Sequence, residues 1–258
     1  MKDSSVILIH GMWSTSNTLS TLRERLEARS YSVYSPNLPW HEDAIRDSDT
    51  RVADLSILDY TTHLKDYITN LKLEEPPILI GHSMGGLLAQ KLSAETKVRA
   101  LVLLCPAQPW GINIMTPSAT WTTFNAYAKW RFWRKSHRPS LHRAKYGLFN
   151  LIDEETQIEL YNRLIPESGR AYFEIVYWFF DKRKATYVPT KEVTAPVLAI
   201  TGEKDRIIRP SVVKKIAEKY PQADYRCYSD HAHWLIDESG SEEIVDDIDA
   251  WLRDKLKQ

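Results

Sequence analysis

Short apolar runs alternate with stretches of helical periodicity along most of this chain. Apolar runs of strand length start at Val6, Ile78 and Val197, and between them apolar residues recur three or four positions apart, as on one face of a helix. Because the runs are continuous, the strands are expected to be buried on both faces, as in a parallel sheet covered by helices. The pattern therefore predicts an α/β fold with a mostly parallel sheet.

The ends of the individual elements are marked by Gly, Pro and clusters of polar residues. The predicted strands are Val6–Ile9, Tyr31–Ser35, Ile78–Ile80, Val98–Leu104, Val197–Ile200 and Asp224–Tyr228. The predicted helices are Leu19–Ala28, Leu55–Leu71, a helix that starts after Gly86 and ends at Ala94, Ser211–Lys219 and Glu242–Leu256. Ligands of such sheets bind beyond the carboxyl ends of the strands, so the residues that follow each strand are the first candidates for function.

The segment 106–194 departs from this alternation. It shows no strand-like run, and it holds five of the nine tryptophans and all six phenylalanines. We interpret it as a mostly helical insertion, a cap or lid, which leaves the sheet after one strand and returns at the next. The predicted core then comprises residues 1–105 and 195–258.

Composition and charge narrow the classes of function. The content of 43% hydrophobic and 26% charged residues is that of an ordinary globular protein. A formal net charge of zero gives no reason to expect nucleic acid or an anionic membrane as partner. No apolar stretch is long enough to span a bilayer and no signal-peptide pattern is visible, so a cytoplasmic location is expected. Cys105 and Cys227 lack the spacing of metal ligands and are expected to be buried free thiols.

A candidate nucleophile lies between the strand Ile78–Ile80 and the helix that follows it. Residues 81–85 read Gly-His-Ser-Met-Gly, which matches Gly-x-Ser-x-Gly in the strand–turn–helix context that the motif requires. Such a turn holds the serine in a strained conformation, exposes its hydroxyl at the sheet edge and aims the N-terminus of the helix at any negative charge formed there. The pattern predicts Ser83 as the nucleophile.

A serine hydroxyl needs a base, and the base needs an acid that orients it. His233 lies in the loop after the strand Asp224–Tyr228 and is preferred to its neighbour His231 because a small residue precedes it and apolar residues follow it. Asp205 lies directly after the strand Val197–Ile200, and Glu203 is the rival in the same loop. The order serine, aspartate, histidine along the chain is that of α/β-hydrolases.

Acyl transfer also requires donors for the oxyanion that develops on the substrate. Two backbone N–H groups are expected to supply them. The first belongs to Met84, directly after the candidate nucleophile. The second belongs to Met12, which follows His10-Gly11 at the end of the first strand.

These motifs resemble those of the α/β-hydrolase superfamily, in its esterase and lipase-like branch with a helical cap. The resemblance rests on residues 10–13 (His-Gly-Met-Trp), 81–86 (Gly-His-Ser-Met-Gly-Gly), 202–205 (Gly-Glu-Lys-Asp) and 232–234 (Ala-His-Trp). It implies a cap at 106–194 and, because the chain starts almost at the strand before His10, a sheet of about six strands without the family's first two. Ala232 stands where members usually have Gly.

The resemblance also indicates which type of reaction to expect. Relatives with an aspartate nucleophile, such as haloalkane dehalogenases and epoxide hydrolases, are excluded because Ser83 occupies that position. No phosphate-binding loop, dinucleotide fingerprint or metal-ligand cluster is visible, so neither a cofactor nor a metal is expected. The expected activity is hydrolysis of a carboxylic ester through an acyl-enzyme. A carbon–carbon bond hydrolase, a hydroxynitrile lyase and a non-catalytic small-molecule receptor of the same fold remain alternatives.

Aromatic and basic residues suggest where a substrate could bind, but they do not identify the substrate. Trp13, Trp110, Trp121 and Trp234 are candidates for binding a bulky apolar ester, such as an aryl, long-chain acyl or macrocyclic lactone ester, although such rings also pack caps against sheets. Residues 129–145 contain seven basic residues and no acidic one. This stretch is either a solvated face of the cap or a site of attraction for an anionic substrate or surface.

Overall fold

A six-stranded sheet forms the centre of the molecule, which we describe from a computed structural model over residues 4–42 and 50–256. Its strand order is β2-β1-β3-β4-β7-β8, and every neighbouring pair is parallel. The prediction of a mostly parallel sheet of six strands is confirmed. The strands of the chain are β1 (Ser4–Ile9), β2 (Tyr31–Tyr34), β3 (Ile78–His82), β4 (Ala100–Leu104), β5 (Ser136–His137), β6 (Glu167–Ser168), β7 (Val197–Gly202) and β8 (Ala223–Tyr228).

Burial explains why four of these strands were readable as apolar runs. Every residue of β3, β4 and β7 is buried, as is nearly all of β1. The edge strand β8 is only partly buried, because one of its flanks has no neighbouring strand. Cys227 on β8 is therefore exposed, and the prediction that both cysteines are buried is wrong for it. Both cysteines are free, as expected, and Cys105 is buried.

Helices pack around the sheet and begin at recognisable caps. Helix α2 begins at Ile57 and not at Leu55, because the hydroxyl of Ser56 accepts the N–H of Leu58 while Asp59 accepts the N–H of Ser56. None of the helices within residues 4–42 and 50–256 has both the length and the apolar character needed to cross a bilayer. The helices are α1 (Ser20–Glu27), α2 (Ile57–Leu71), α3 (Met84–Glu95), α4 (Pro117–Thr122), α5 (Phe124–Tyr127), α6 (Leu141–Gly147), α7 (Glu154–Arg163), α8 (Gly169–Val176), α9 (Pro210–Ala217) and α10 (Ser241–Lys255).

The segment 106–194 contains the helices α4 to α8 together with a small antiparallel sheet of β5 and β6. The sequence shows no strand-like run in this segment, although the structure contains these two short strands. Each strand has only two residues, Ser136 pairing with Ser168 and His137 with Glu167, so no apolar run could signal them. The mostly helical character that the sequence indicated is present.

Buried polar contacts of Glu167 and Glu174 help to attach this segment to the rest of the molecule. His41, in the loop after β2, contacts Glu167 of β6 with 3.1 Å between Nε2 and Oε2. Burial opposes the charge on both groups, but their mutual attraction raises the pKa of His41 and lowers the pKa of Glu167. At the N-terminus of α2, the carboxylate of Glu174 from α8 accepts the hydroxyl of Ser56 and the N–H of Ile57.

Candidate active site

Ser83 connects β3 to α3 in a conformation that few residues other than glycine adopt. Its φ of 53° and ψ of −120° lie outside the ordinary regions for an L-residue. The surrounding backbone holds it there, since its N–H donates to the carbonyl oxygen of Leu104 at 2.9 Å and its carbonyl oxygen accepts the N–H of Ala107 at 2.8 Å. A Cβ atom at Gly81 would lie 2.2 Å from the carbonyl oxygen of Gly85, so the turn closes only with glycine at that position.

The loop after β1 lies directly against this turn. A Cβ atom at Gly85 would come within 2.1 Å of the carbonyl oxygen of Ile9, and one at Gly11 would come within 3.0 Å of the Cβ atom of Ser83. The two glycines thus let the ends of β1 and β3 approach each other. This approach brings Met12 and Ser83 into the wall of the same cavity.

His233 and Asp205 complete a hydrogen-bonded row with Ser83. Nε2 of His233 lies 3.1 Å from Oγ of Ser83, and Nδ1 of His233 lies 2.8 Å from Oδ2 of Asp205. The other carboxylate oxygen of Asp205 accepts the backbone N–H groups of Ile207 and Ile208, at 2.7 and 2.9 Å. The structure thus brings together the three residues that the sequence selected, from loops that follow three different strands.

The two rival residues lie apart from this row. His231 contacts the ring of Tyr228 with 5.7 Å between ring centres, and its Nε2 atom has no hydrogen-bond partner among the described residues. Glu203 is exposed, whereas Asp205 is buried. The geometry therefore favours His233 and Asp205 over their neighbours.

His82, the residue before Ser83, supports the backbone of His233. Its Nε2 atom donates to the carbonyl oxygen of His233 at 2.8 Å. Burial and the neighbouring His233 ring lower the pKa of His82 to about 3, so its imidazole is neutral around pH 7. A neutral ring with its hydrogen on Nε2 fits this contact.

Cys105 and Glu238 also lie close to Asp205 and His233. No sequence motif indicates a role for either residue. Burial and nearby Asp205 raise the pKa of the Cys105 thiol well above its usual range, and the thiol lies 3.6 Å from the carbonyl oxygen of Ala232. Glu238 accepts the N–H of Ala232 at 2.7 Å, and burial raises its pKa to about 7. No local pattern marks either residue, because each contact depends on the tertiary fold.

Cys105, Asp205 and His233 also offer ligand atoms that lie within 4.8 Å of one another. The donor set does not fit a resident metal ion. A cysteine binds a metal ion as the thiolate, and burial keeps the Cys105 thiol protonated. The facing atoms of Asp205 and His233 are already engaged with each other.

Met12 and Met84, whose backbone N–H groups are the predicted oxyanion donors, line the same cavity as Ser83. Met84 is the first residue of α3, so its N–H has no acceptor within the helix. His10 donates from Nδ1 to the carbonyl oxygen of Gly11 at 2.9 Å and accepts the N–H of Leu38 on Nε2 at 3.2 Å. In a trans peptide the N–H points opposite to the carbonyl, so His10 fixes the direction of the Met12 N–H.

A cavity of about 280 Å³ opens at Ser83, between the carboxyl edge of the sheet and the inserted segment. Among the described residues, its lining includes no Lys, Arg, Asp or Glu. Hydroxyl groups in its wall are bonded to protein, as Tyr172 donates to Thr123 at 2.7 Å. The lining residues are Met12, Trp13, Ser83, Met84, Ala107, Ile114, Met115, Ala119, Thr120, Thr123, Tyr172, Ile175, Val176, Tyr177, Ile207, Ile208 and His233.

Of the four tryptophans predicted to bind substrate, only Trp13 lines this cavity. Trp234 is fully buried behind the site and packs edge-on against Phe149. Trp110 packs against Trp178 and is not among the residues that line the cavity. Trp121 is 46% exposed at the surface. The expectation is corrected for these three, because residue type alone does not tell which face of an element a side chain occupies.

Comparison with known proteins places this geometry in a family context. The model of the alpha/beta hydrolase family matches residues 6–247. The chain is also 28% identical over 107 residues to an esterase/lipase-type protein of Mycoplasma pneumoniae. That match covers 41% of this chain and spans 38% of the length of the relative.

Solved structures resemble the whole chain at low sequence identity. An esterase from Exiguobacterium antarcticum superimposes with a TM-score of 0.72 at 16% identity, covering 98% of this chain and 92% of that one. A methylesterase from Arabidopsis gives 0.71 at 16%, covering 95% and 97%. A pyrethroid hydrolase from Sphingobium faniae gives 0.70 at 17%, covering 100% of both chains. Likeness at this level of identity shows a shared fold.

Proposed function

Because the chain belongs to the alpha/beta hydrolase family, we propose that it hydrolyses carboxylic esters through an acyl-enzyme formed on Ser83. The observation that supports this most strongly is the unbroken hydrogen-bonded row from Ser83 through His233 to Asp205, which ends at an apolar cavity. Esterase and hydrolase relatives of the same fold agree with this class of reaction.

The first step forms the acyl-enzyme. Nε2 of His233 accepts the proton of the Ser83 hydroxyl as Oγ attacks the ester carbonyl carbon, and the carbonyl π electrons move onto its oxygen. Asp205 holds the ring with its hydrogen on Nδ1 and stabilises the imidazolium that forms. The N–H groups of Met12 and Met84 stabilise the oxyanion. When the carbonyl re-forms, the bond to the alkoxide breaks and His233 returns the proton to the leaving alcohol.

The second step releases the acid by the same groups. A water molecule gives a proton to His233 and attacks the acyl carbon, and the resulting oxyanion meets the same two N–H groups. Collapse of this intermediate breaks the bond to Oγ, and His233 reprotonates Ser83. The net reaction consumes one water molecule and yields one acid and one alcohol.

The cavity lining defines the substrate class of this proposal. A charged substituent inside the cavity would lose its hydration without meeting a counter-charge from Lys, Arg, Asp or Glu, which is costly. The substrate is therefore an ester whose buried portion is uncharged and apolar. In this proposal the segment 106–194 is the cap of the core 1–105 and 195–258, and it selects that portion through Ala119, Tyr172 and Ile175.

Turnover of p-nitrophenyl esters with acyl chains of two to twelve carbons tests the proposal. We expect steady hydrolysis by the wild-type protein and at least a thousandfold lower kcat for Ser83→Ala with an unchanged far-UV circular dichroism spectrum. Ser229→Ala, which changes an exposed serine in the loop before His231, is the matched control and should retain full activity. Ester turnover that survives in Ser83→Ala would refute the proposal.

A further inference from the structure

The first half of the inserted segment is strongly basic in a chain that is neutral as a whole. Residues 106–152 contain seven basic residues and no acidic one, whereas the full chain balances 34 basic against 34 acidic residues. Four of the seven, Lys129, Arg131, Arg134 and Lys135, are exposed. These four exposed cationic side chains lie within the seven consecutive residues 129–135.

Large apolar side chains are exposed in the same half. Trp130 is 82% exposed and directly adjoins Lys129 and Arg131 in the chain, while Trp121 and Phe124 are 46% and 43% exposed. The guanidinium of Arg143 lies 4.2 Å above the ring of Trp121 and 4.7 Å from that of Phe124. Helix α5 contacts both α4 and the turn at 132–134, so we group these neighbouring cationic and aromatic residues as the basic aromatic face. We define it as Trp121, Phe124, Lys129, Trp130, Arg131, Arg134, Lys135 and Arg143.

The basic aromatic face adjoins the entrance of the cavity. Met115 lines the cavity and is also 48% exposed, so it lies at the opening. In and next to helix α4, Ala119 and Thr123 point into the cavity, whereas Trp121 and Phe124 point to solvent. The same short segment therefore forms the cavity wall on one side and the exposed aromatic surface on the other.

We propose that the basic aromatic face binds the surface of an anionic lipid bilayer, with the entrance of the cavity turned towards it. Lys and Arg are attracted to anionic headgroups, and tryptophan rings partition into the interfacial region, so the face combines the two groups that such a surface selects. The contact brings an apolar cavity next to a source of apolar ligands. The binding does not require chemistry at Ser83 and so stands apart from the proposed reaction.

Charge complementarity favours a lipid surface over a folded protein or a nucleic acid. A nucleic acid would match the charge of the basic residues. The tryptophan rings, however, would stay exposed unless they stacked on unpaired bases. A protein partner would need an acidic and apolar surface of matching shape, whereas a fluid bilayer conforms to a convex face of any shape. The exposed rings lie between the charges, as at the headgroup boundary of a bilayer.

Sedimentation with sucrose-loaded vesicles tests the proposal. The wild-type protein should pellet with vesicles of 40% phosphatidylglycerol and 60% phosphatidylcholine but not with pure phosphatidylcholine, and 0.5 M NaCl should weaken the binding because it screens the surface charge. Ser83→Ala should bind as the wild type does. A wild-type protein that pellets with anionic vesicles but hydrolyses no ester would support this proposal and refute the proposed function, so the two proposals fail separately.

Two variants locate the contact. The triple variant Lys129→Glu, Arg131→Glu, Lys135→Glu should lower the partition coefficient at least tenfold, and Trp130→Ser should lower it severalfold. The matched controls are Lys214→Glu, Lys215→Glu, Lys219→Glu, which reverses three exposed lysines in and next to α9, and Phe180→Ser, which removes a ring that is 67% exposed. Both controls should bind as the wild type does.

Far-UV circular dichroism and thermal melting in the absence of vesicles show that each variant is folded. The proposal is overturned if the wild-type protein does not pellet with anionic vesicles, or if the control triple variant loses binding as fully as the test variant. It is also overturned if Trp130→Ser binds anionic vesicles as the wild type does and heparin displaces both proteins from the vesicles equally well. The contact would then be that of a polycation alone.

Discussion

His82, the residue before Ser83, and His233 are 151 positions apart in the chain and are joined by a hydrogen bond from Nε2 of His82 to the carbonyl oxygen of His233 at 2.8 Å. Their ring centres lie 5.1 Å apart. The residue next to the proposed nucleophile therefore fixes the backbone of the proposed base. Because the pKa of His82 is lowered to about 3, the donor stays neutral over the working pH range of an ordinary enzyme.

We expect His82→Ala to lower kcat about tenfold or more, because the loop of His233 loses the contact that holds its backbone. His82→Gln, which offers an N–H donor at a similar reach, should recover part of the loss. KM should change little, since His82 does not line the cavity. Steady-state kinetics on one p-nitrophenyl ester measures both constants. Equal kcat values for His82→Ala and the wild type would contradict this positioning role.

The hydrogen bonds of Asp205 predict how Asp205→Asn would lose catalytic activity. The amide oxygen would keep the N–H groups of Ile207 and Ile208, which leaves the NH₂ group facing Nδ1 of His233. The histidine would then carry its hydrogen on Nε2 and could not accept the proton of Ser83. We expect kcat to fall by roughly 10³ to 10⁴ with the fold intact.

The rival residue in the same loop supplies the control for that measurement. Glu203 is exposed, so Glu203→Gln should retain kcat to within about a factor of two. Thermal melting should be recorded for both variants to separate lost chemistry from lost stability. A larger loss of kcat in Glu203→Gln than in Asp205→Asn would reverse the assignment of the acid.

The raised pKa of Glu238 predicts how stability depends on pH. Burial raises the pKa of Glu238 from its ordinary value of 4.5 to about 7. The folded state therefore holds a proton that the unfolded state releases between those values, so this stabilisation is present below about pH 4.5 and is lost as pH rises to 7. Between these two pH values, the titration of Glu238 lowers the free energy of unfolding by about 1.4 kcal/mol for each pH unit by which the pH rises.

Glu238→Gln should remove this contribution. Its unfolding free energy, measured with urea between pH 5 and 8, should fall less steeply with pH than that of the wild type, and the variant should be the more stable of the two above pH 7. The amide oxygen can still accept the N–H of Ala232, which keeps the loop of His233 in place. Parallel curves for the two proteins would contradict the assignment of this titration to Glu238.

Ala119 offers a test of how the cavity selects its ligand. Its small side chain is buried in the cavity wall, so Ala119→Leu would fill space that a long acyl chain occupies. We expect kcat/KM to fall at least tenfold for the p-nitrophenyl esters of ten or twelve carbons and to change little for the acetate. A uniform loss over all chain lengths would indicate a distorted site instead of a shortened cavity.

Local patterns made the sheet and the hydrogen-bonded row predictable. The strands β1, β3, β4 and β7 were visible as apolar runs because the sheet is covered on both faces. Ser83, Asp205 and His233 each lie in a segment that follows a predicted strand. Parallel strands place the residues that follow them at one edge of the sheet. Three separate local signals therefore converged on one place without any knowledge of the tertiary structure.

Features that depend on packing between distant segments were not predictable. The strands β5 and β6 are too short to show a periodicity, and the ion pair of His41 with Glu167 joins residues 126 positions apart. The tryptophans illustrate the same limit, since Trp13 faces the cavity while Trp234 turns away from it into the core. Aromatic content indicated an apolar pocket, but the face that each ring occupies is set by the fold.

The central claim is that Ser83 is a nucleophile activated by His233, and a serine-directed fluorophosphonate, which phosphonylates such a serine, tests it most directly. The probe should add to the protein in a one-to-one ratio, abolish ester hydrolysis in proportion to labelling, and map by peptide mass spectrometry to Ser83. His233→Ala should label far more slowly, because Oγ would lack its base. Adduct formation at another residue, or full ester turnover after stoichiometric labelling of Ser83, would contradict the account.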